Sequence, residues 1–102
     1  MAYELTDEGR RYLKLGLPEL RLLRILEERG EVSLEELKSL LPELAIALAW
    51  AKRNGWIEVR RGNVRALKVP KEYELQRALR LIDEGGKVED HLLNSLLKRK
   101  LV

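Results

Sequence analysis

Apolar residues recur at helical spacing through most of the chain, and residues that cap or end helices separate the runs. Thr6 precedes the first run, Gly16 ends it, and Pro18 opens the second. Ser33 and Glu36 have the spacing of a capping box at the start of a later helix. The pattern predicts helices at about residues 7–15, 18–29, 34–41, 43–54, 71–84 and 88–99.

Residues 55–69 follow a different pattern, in which apolar and polar side chains alternate on both sides of Gly62-Asn63. Two alternating runs around such a pair indicate a tight β-hairpin. The apolar side chains expected to face the core are Ile57, Val59, Leu67 and Val69. Residues 3–5 form a short β-like stretch, and residues 31–32 form a brief extended link.

The order helix, short strand, helix, helix, hairpin is that of a winged helix-turn-helix, which has three helices and a β-hairpin wing. The sequence therefore predicts an α+β, mostly helical fold with additional N- and C-terminal helices. We expect a strand-helix lead-in at residues 1–16, a winged-helix core at residues 17–70, and C-terminal helices at residues 71–102 packed on that core.

The composition is typical of one folded domain: 102 residues, 45% hydrophobic and 36% charged. The sequence has no cysteine, which excludes disulfides, thiolate catalysis and cysteine zinc sites. It contains no signal-peptide pattern, and no apolar run approaches the roughly 20 residues of a membrane span. We therefore expect a cytoplasmic protein without membrane contact. The abundance of Lys, Arg and Glu is typical of a thermophile.

Catalytic chemistry has little support in the sequence. His91 is the one histidine and has no evident second ligand or catalytic partner. The neighbouring carboxylates Glu27-Glu28 and Glu35-Glu36 are adjacent on helices, where adjacent side chains do not face each other. No glycine-rich phosphate-binding motif is present. We expect no catalytic residue, no metal site and no cofactor in this chain.

The net charge of +3 is unevenly distributed. Residues 1–49 carry 7 basic and 10 acidic side chains, residues 50–69 carry 6 and 1, and residues 70–102 carry 7 and 6. A basic cluster of this kind is typical of a phosphate-binding surface. The candidate nucleic-acid contacts are Lys52, Arg53, Arg60, Arg61, Arg65 and Lys68. The alternative is a solvated edge hairpin whose charges discourage aggregation.

Helix 43–54 occupies the place of a recognition helix but lacks the side chains that read bases. Arg and Lys read guanine, and Asn and Gln read adenine, whereas its first two turns contain only Leu, Ala and Ile after Glu43. We expect Leu44, Leu48 and Ala51 to face the core. Ile46, Ala49 and Trp50 lie away from that stripe, either packed within the same domain or exposed as a protein contact.

Four blocks of sequence resemble, in order, the N-terminal region of archaeal and eukaryotic phenylalanyl-tRNA synthetase α subunits. The blocks are YELTDEGRRYLKLGLPELRLL, IALAWAKRNGWIEV, ELQRALRLIDEGG and LLNSLLKRKLV. Many winged-helix proteins carry the LTxEGxxYL pattern, so most of the specificity lies in GLPExR, AxxxGWI and LLKRKLV. Residues 31–43 match least.

The resemblance implies an accessory winged-helix module that contacts the body of a tRNA, in the first place tRNA-Phe. It implies two protein partners, the rest of the α subunit and the β subunit, in an α₂β₂ enzyme that uses ATP and magnesium. The motifs of the class II catalytic core have no counterpart in residues 1–102, so no catalytic residue is carried over. An excised domain and a stand-alone paralogue both fit this pattern.

Two other functions stay open at this point. A DNA-binding transcriptional regulator is a common use of the winged helix, and a protein-docking module would use the apolar side of helix 43–54. A-form RNA offers phosphates and shape more than a readable major groove. A basic wing beside a helix without base-reading side chains therefore favours RNA backbone over a DNA operator.

Overall fold

A computed structural model describes residues 3–102, and expectations that include Met1 and Ala2 lie partly outside the described residues. The elements are α1 (Asp7–Leu15), α2 (Pro18–Arg29), β1 (Val32–Ser33), α3 (Leu34–Leu40), α4 (Leu44–Arg53), β2 (Ile57–Arg60), β3 (Asn63–Ala66), α5 (Glu74–Asp83) and α6 (Asp90–Lys98). The chain divides into two compact units. One is Leu17–Pro70, and the other combines residues 3–16 with Lys71–Val102. The expected packing of residues 71–102 on residues 17–70 stays a prediction.

The unit Leu17–Pro70 has the element order of a winged helix: α2, β1, α3, α4 and the β2–β3 hairpin. Its three strands are antiparallel and lie in the order β1-β3-β2, so β3 is central and β2 is an edge strand. The expected mostly helical α+β fold is confirmed. We call the β2–β3 hairpin the wing, and α3 and α4 occupy the positions of a helix-turn-helix pair.

Helix α4 is fixed at its first turn by an ion pair as well as by apolar packing. α2 packs against α4 and β3. Arg21 Nη1 on α2 lies 3.0 Å from Oε2 of Glu43, and both side chains are largely buried. Because Glu43 immediately precedes α4, this pair holds the start of α4 on α2. The most deeply buried side chains of this unit include Leu17, Leu22, Leu23, Leu37, Leu41, Ala47, Ala51 and Val64.

The predicted helix starts are confirmed by their hydrogen bonds. The Thr6 hydroxyl accepts from the Gly9 N–H at 3.1 Å, and the Ser33 hydroxyl accepts from the Glu36 N–H at 3.1 Å. Pro18 occupies the first turn of α2. These local signals act within three or four residues, which explains why the sequence alone located these helix starts.

The second unit is built on α5, which packs against both α1 and α6. Its expected apolar stripe is confirmed, since Leu75, Leu79 and Ile82 are all buried. The residues after α6 close this unit against the start of α1. The Thr6 N–H donates to the Leu101 carbonyl at 2.9 Å, and the Thr6 hydroxyl donates to the Lys100 carbonyl at 2.8 Å.

The strand expected at residues 3–5 is wrong, because this segment has no strand conformation. Cross-strand pairs are what stabilise a strand, and no strand pairs with this segment within the described chain. Leu5 is nevertheless buried, and the N–H of the next residue, Thr6, donates to the Leu101 carbonyl in the turn after α6. The apolar character of the segment therefore reflects burial and not sheet formation.

The hairpin forms, but its turn lies one residue earlier than expected. Arg60 pairs with Asn63, so Arg61 and Gly62 are the two turn residues. The sequence had favoured Gly62 and Asn63 instead. Both observed turn residues have positive φ, which is the conformation of a type I′ hairpin turn.

The second strand also faces the other way from the expectation. Residues directly opposite each other in a hairpin share a face, so Val64 and Ala66, which lie opposite Val59 and Ile57, face inward. Val64 is fully buried, whereas Leu67 and Val69, expected in the core, are 55% and 41% exposed. Ile57 is buried as expected, and Val59 is half-buried. The prediction was therefore correct for β2 and wrong for the residues after the turn.

Candidate nucleic-acid interface

Strand pairing decides which polar side chains share the outward face of the wing. Glu58 lies opposite Arg65, and Arg60 lies opposite Asn63. Because side chains alternate between the two faces, these four lie on the face opposite to the buried Val64. The outward face of the hairpin thus carries two arginines and one glutamate.

The turn itself places a third arginine at the tip of the wing. Arg61 has φ 52° and Gly62 has φ 78°. The left-handed conformation costs a residue with a side chain roughly 1–2 kcal/mol. The turn is tied to the rest of the sheet, since the Leu34 N–H donates to the Gly62 carbonyl at 2.8 Å. The Arg61 side chain is exposed.

The predicted phosphate contacts fall into two groups along the hairpin. Arg60 and Arg61 lie at the turn, whereas Lys52 and Arg53 end α4 and Lys68 follows β3 at the opposite end. All five are exposed. A four-residue strand spans about 10 Å, so the two groups are separated by roughly that distance. The structure brings together charges within each group but does not form a single cluster of all the predicted residues.

Arg65, the sixth predicted contact, lies between these groups and is held by Glu58. Its Nε and Nη2 both donate to Glu58 Oε2, at 2.9 and 2.6 Å. The hydrogen bond and charge of Arg65, with a smaller contribution from Arg60, hold the pKa of Glu58 below its ordinary value. The sequence alone does not indicate this pair, because it becomes evident only with the observed strand register.

The pair has a defined dependence on pH. Since the folded-state pKa of Glu58 is lowered, its contribution to stability is present above the ordinary carboxyl pKa. It is lost as the pH falls through the lowered value. Near neutral pH Glu58 is therefore ionised, and the Arg65 charge is balanced locally.

The inward face of α4 differs by one position from the expected stripe. Leu44 and Ala51 are buried as predicted, but Ala47 is fully buried and Leu48 is only half-buried. The small side chain of Ala47 lets the α4 backbone approach its neighbours more closely than a leucine would allow.

The outward face of α4 is largely apolar. Ile46 is 42% exposed and Ala49 is exposed, so the alternative that they pack within the domain is wrong for both. Trp50 is half-buried, and the Arg53 guanidinium carbon lies 5.2 Å from the centroid of its ring. This cation–π contact orients a basic side chain at the end of an apolar strip.

The remaining candidate chemistry lies on the surface. His91 is exposed, with Nδ1 3.4 Å from Glu89 Oε2 and Nε2 3.9 Å from Glu74 Oε2. Among residues 3–102 no group of three His, Cys, Asp or Glu side chains is arranged to hold a metal ion. No helix of the described chain has the length and apolarity needed to cross a membrane.

The unit Leu17–Pro70 has the mostly helical α+β element order of a winged helix, and its hairpin region carries an excess of basic side chains. Over 101 residues, 98% of the chain, the protein is 42% identical to the phenylalanine–tRNA ligase α subunit of Archaeoglobus fulgidus and 37% identical to that of Sulfurisphaera tokodaii. It is 34% identical, over its whole length, to the corresponding subunit of Thermoplasma volcanium. The chain thus belongs, as a segment, to the phenylalanine–tRNA ligase α-subunit family, and the resemblance stated from the sequence is confirmed.

These relatives are much longer than this chain, which spans about a fifth (21%) of the length of each. No model of a protein family matches the chain. The homology therefore concerns one region of a tRNA ligase subunit and not a whole enzyme.

Proposed function

We propose that this chain is an accessory tRNA-binding winged-helix domain of a phenylalanine–tRNA ligase α subunit, and that its wing contacts the backbone of tRNA-Phe. The observation that supports this most directly is the position of Arg60 and Arg61. Both are exposed at the turn end of the wing, where β2 meets β3. Lys52, Arg53 and Lys68 provide a second group of cations at the other end of the hairpin.

Phosphate contacts position a nucleic acid without reading its sequence, whereas base contacts specify it. The outward face of α4 offers Ile46, Ala49 and part of Trp50 in place of base-reading side chains. A duplex DNA operator would be poorly discriminated by such a helix. An A-form RNA surface presents phosphates and 2′-hydroxyls across a shallow groove, so it suits a basic wing better.

The proposal assigns the chemistry of the enzyme to other parts of it. Attachment of phenylalanine with ATP and magnesium would belong to the remainder of the α subunit together with the β subunit. This chain would contribute affinity for the tRNA and would help to orient it. The expectations of no cofactor in this chain and of a cytoplasmic location stay predictions.

The first test is a comparison of nucleic acids across a series of salt concentrations. The 102-residue chain is titrated with a tRNA-Phe transcript, another tRNA and a duplex DNA of equal charge. We expect both tRNAs to bind more tightly than DNA, with affinity falling steeply as salt increases. Equal and weak binding to all three would exclude the proposal, and a clear preference for DNA would favour a transcriptional regulator.

The second test reverses charge at the wing. Arg61→Glu should weaken binding to tRNA-Phe and reduce the salt slope by about 1 or more. Arg24→Glu, at an exposed arginine on α2 that is not among the predicted contacts, makes the same change of charge. Equal effects of the two variants would mean that overall charge, and not the wing, drives binding. Circular dichroism verifies that both variants remain folded.

A protein-docking function is the second candidate, and the 42% exposure of Ile46 favours it. Trp50 at the same face is half-buried, whereas Trp56 is buried. Acrylamide quenching of the variant Trp56→Phe would report on Trp50 alone. A docking face predicts strong quenching in the isolated chain and protection when the rest of the synthetase is added.

A further inference from the structure

We propose that Glu58 limits the affinity of the wing for RNA, because it competes with phosphates for Arg65. This inference rests on the proposed tRNA-binding function and adds a residue that sets its strength. It starts from the strand register, which places Glu58 and Arg65 directly opposite each other on the outward face. Two of the guanidinium nitrogens of Arg65 donate to one oxygen of Glu58.

The geometry of this pair favours direct contact between the two charges. Directly opposed side chains on neighbouring strands need little reorganisation to meet. The two distances, 2.9 and 2.6 Å, are those of charge-assisted hydrogen bonds. Both partners are partly covered, since the side chains are 52% exposed for Arg65 and 33% exposed for Glu58.

A phosphate that approaches Arg65 therefore meets an arginine whose charge is already balanced. It must either displace Glu58 or share the guanidinium with a carboxylate that repels it. The field of Glu58 also reaches Arg60, since the charge of Arg60 helps to lower the pKa of this carboxyl. One acidic residue thus weakens two of the predicted phosphate contacts, whereas Arg61 at the turn lies outside this pair.

The physical consequence is an order of importance among the arginines. Arg65→Gln should change tRNA affinity less than Arg61→Gln, because it removes a charge that Glu58 already balances. When Glu58 is neutral, Arg65 should become as important as Arg61. Non-additivity of this kind is what a double-mutant cycle measures.

The decisive variant is Glu58→Gln in the 102-residue chain, with binding to a tRNA-Phe transcript measured across a salt series. We expect about two- to five-fold tighter binding at low salt, the range that corresponds to a surface ion pair. We also expect a salt slope steeper by about 1, because one further arginine becomes available to phosphate. A glutamine can still accept a hydrogen bond from Arg65, so the hairpin should remain folded.

The chain offers a matched control in the second unit. Arg80 Nε lies 3.2 Å from Glu84 Oε1, and both side chains are well exposed. Glu84→Gln makes the same change of charge and also releases an arginine. We expect it to leave the affinity and the salt slope nearly unchanged.

The outcomes separate this inference from the proposed function. If the wild-type chain does not bind tRNA, both fail. If Arg61→Glu abolishes binding but Glu58→Gln leaves affinity and slope unchanged, the proposed function stands and the competition by Glu58 is excluded. Equal gains from Glu58→Gln and Glu84→Gln would also overturn it. The inference is supported if Glu58→Gln raises affinity, Glu84→Gln does not, and Glu58→Gln no longer raises affinity in a chain that also carries Arg65→Gln.

Discussion

Two residues other than glycine have a left-handed backbone conformation in the described chain, Arg61 with φ 52° and Lys100 with φ 59°. Both are basic and exposed; Arg61 directly follows β2, and Lys100 lies two residues after the end of α6. They differ in the structural role of the left-handed residue. Arg61 forms a hairpin turn, whereas Lys100 ends a helix.

At Lys100 the conformation serves the packing of the unit. The Lys100 N–H donates to the Leu97 carbonyl at 3.0 Å, and the Leu101 N–H donates to the Leu96 carbonyl at 2.9 Å. This is the Schellman arrangement, in which the left-handed residue is usually glycine. Its carbonyl then accepts the Thr6 hydroxyl.

Elsewhere in the same chain the same position does hold glycine. Gly55 after α4 and Gly85 after α5 have φ of 74° and 81°, and the following N–H bonds back to the helix in the same way. Lys100 thus occupies a position that holds glycine after other helices of the chain, and the hydrogen bonds from Thr6 help to keep it in the left-handed conformation. Its side chain has no evident role in this closure.

At Arg61 the side chain is the feature of interest. Asn-Gly is the preferred sequence for a type I′ turn, and this protein has Arg-Gly. Residues with a strained backbone conformation cluster at functional sites. The same backbone cost thus has a packing reason at Lys100 and, under our proposal, a binding reason at Arg61.

The largest effect is expected from a substitution that disrupts the packing of the residues around Lys100 against the start of α1. A Cβ added at Gly9 would lie 2.1 Å from the Leu101 carbonyl oxygen, so the chain end would have to move. Gly9→Ala should therefore destabilise the protein by about 3 kcal/mol, the upper end of overpacking effects. Urea unfolding measures this. Arg10→Ala, at the next and exposed position, should cost less than about 0.5 kcal/mol, and a similar loss from both would contradict the close contact.

The second effect tests the register that makes Arg61 a turn residue. Val64 is fully buried and Leu67 is 55% exposed. Val64→Ala should reduce the free energy of unfolding by about 2 kcal/mol, whereas Leu67→Ala should change it by less than about 0.5 kcal/mol. Reversed magnitudes would contradict the pairing of Val59 with Val64, and with it the assignment of Arg61 to the turn.

The third effect separates stability from binding at the wing. Asn tolerates the left-handed region better than Arg, so Arg61→Asn should raise the free energy of unfolding by about 0.5–1 kcal/mol. It should at the same time weaken tRNA binding, because a tip cation is lost. Thermal unfolding and the salt-series titration test both parts, and a gain in stability without loss of affinity would remove the functional explanation of the strain.

The smallest effect applies the same substitution to the other site. Lys100→Asn should raise the free energy of unfolding by about 0.5 kcal/mol, for the same conformational reason. Since Lys100 is not among the predicted contacts, affinity for tRNA-Phe should stay within error of the wild type. A loss of affinity equal to that of Arg61→Asn would extend the binding surface beyond the wing.

Helices were predictable from the sequence because their signals are local. The stripe of Leu75, Leu79 and Ile82 and the cap at Ser33 depend on neighbours three or four residues away. The turn of the hairpin depends on more distant contacts. Gly62 could belong to either of two turns. The observed turn occurs together with the pairing of β1 with β3 and the hydrogen bond from the Leu34 N–H to the Gly62 carbonyl.

The candidate site was predictable as a set of charges but not as an arrangement. Sequence located the six basic side chains, since composition alone reveals a local excess. It could not reveal that Glu58 holds Arg65, because that contact joins residues across a turn whose register was misassigned. The exposure of Ile46 was likewise undecided, since α4 is apolar on both sides and its rotation is set by what packs against it.

The bond from the Leu34 N–H to the Gly62 carbonyl also bears on kinetics. It fastens the tip of the wing to the first residue of α3, so the loop that carries Arg61 is already ordered before any ligand arrives. Association then loses little further conformational entropy, and no slow folding step precedes contact. Under the proposed function, we therefore expect RNA to associate with this surface at a rate set by diffusion and charge, and not by ordering of the loop.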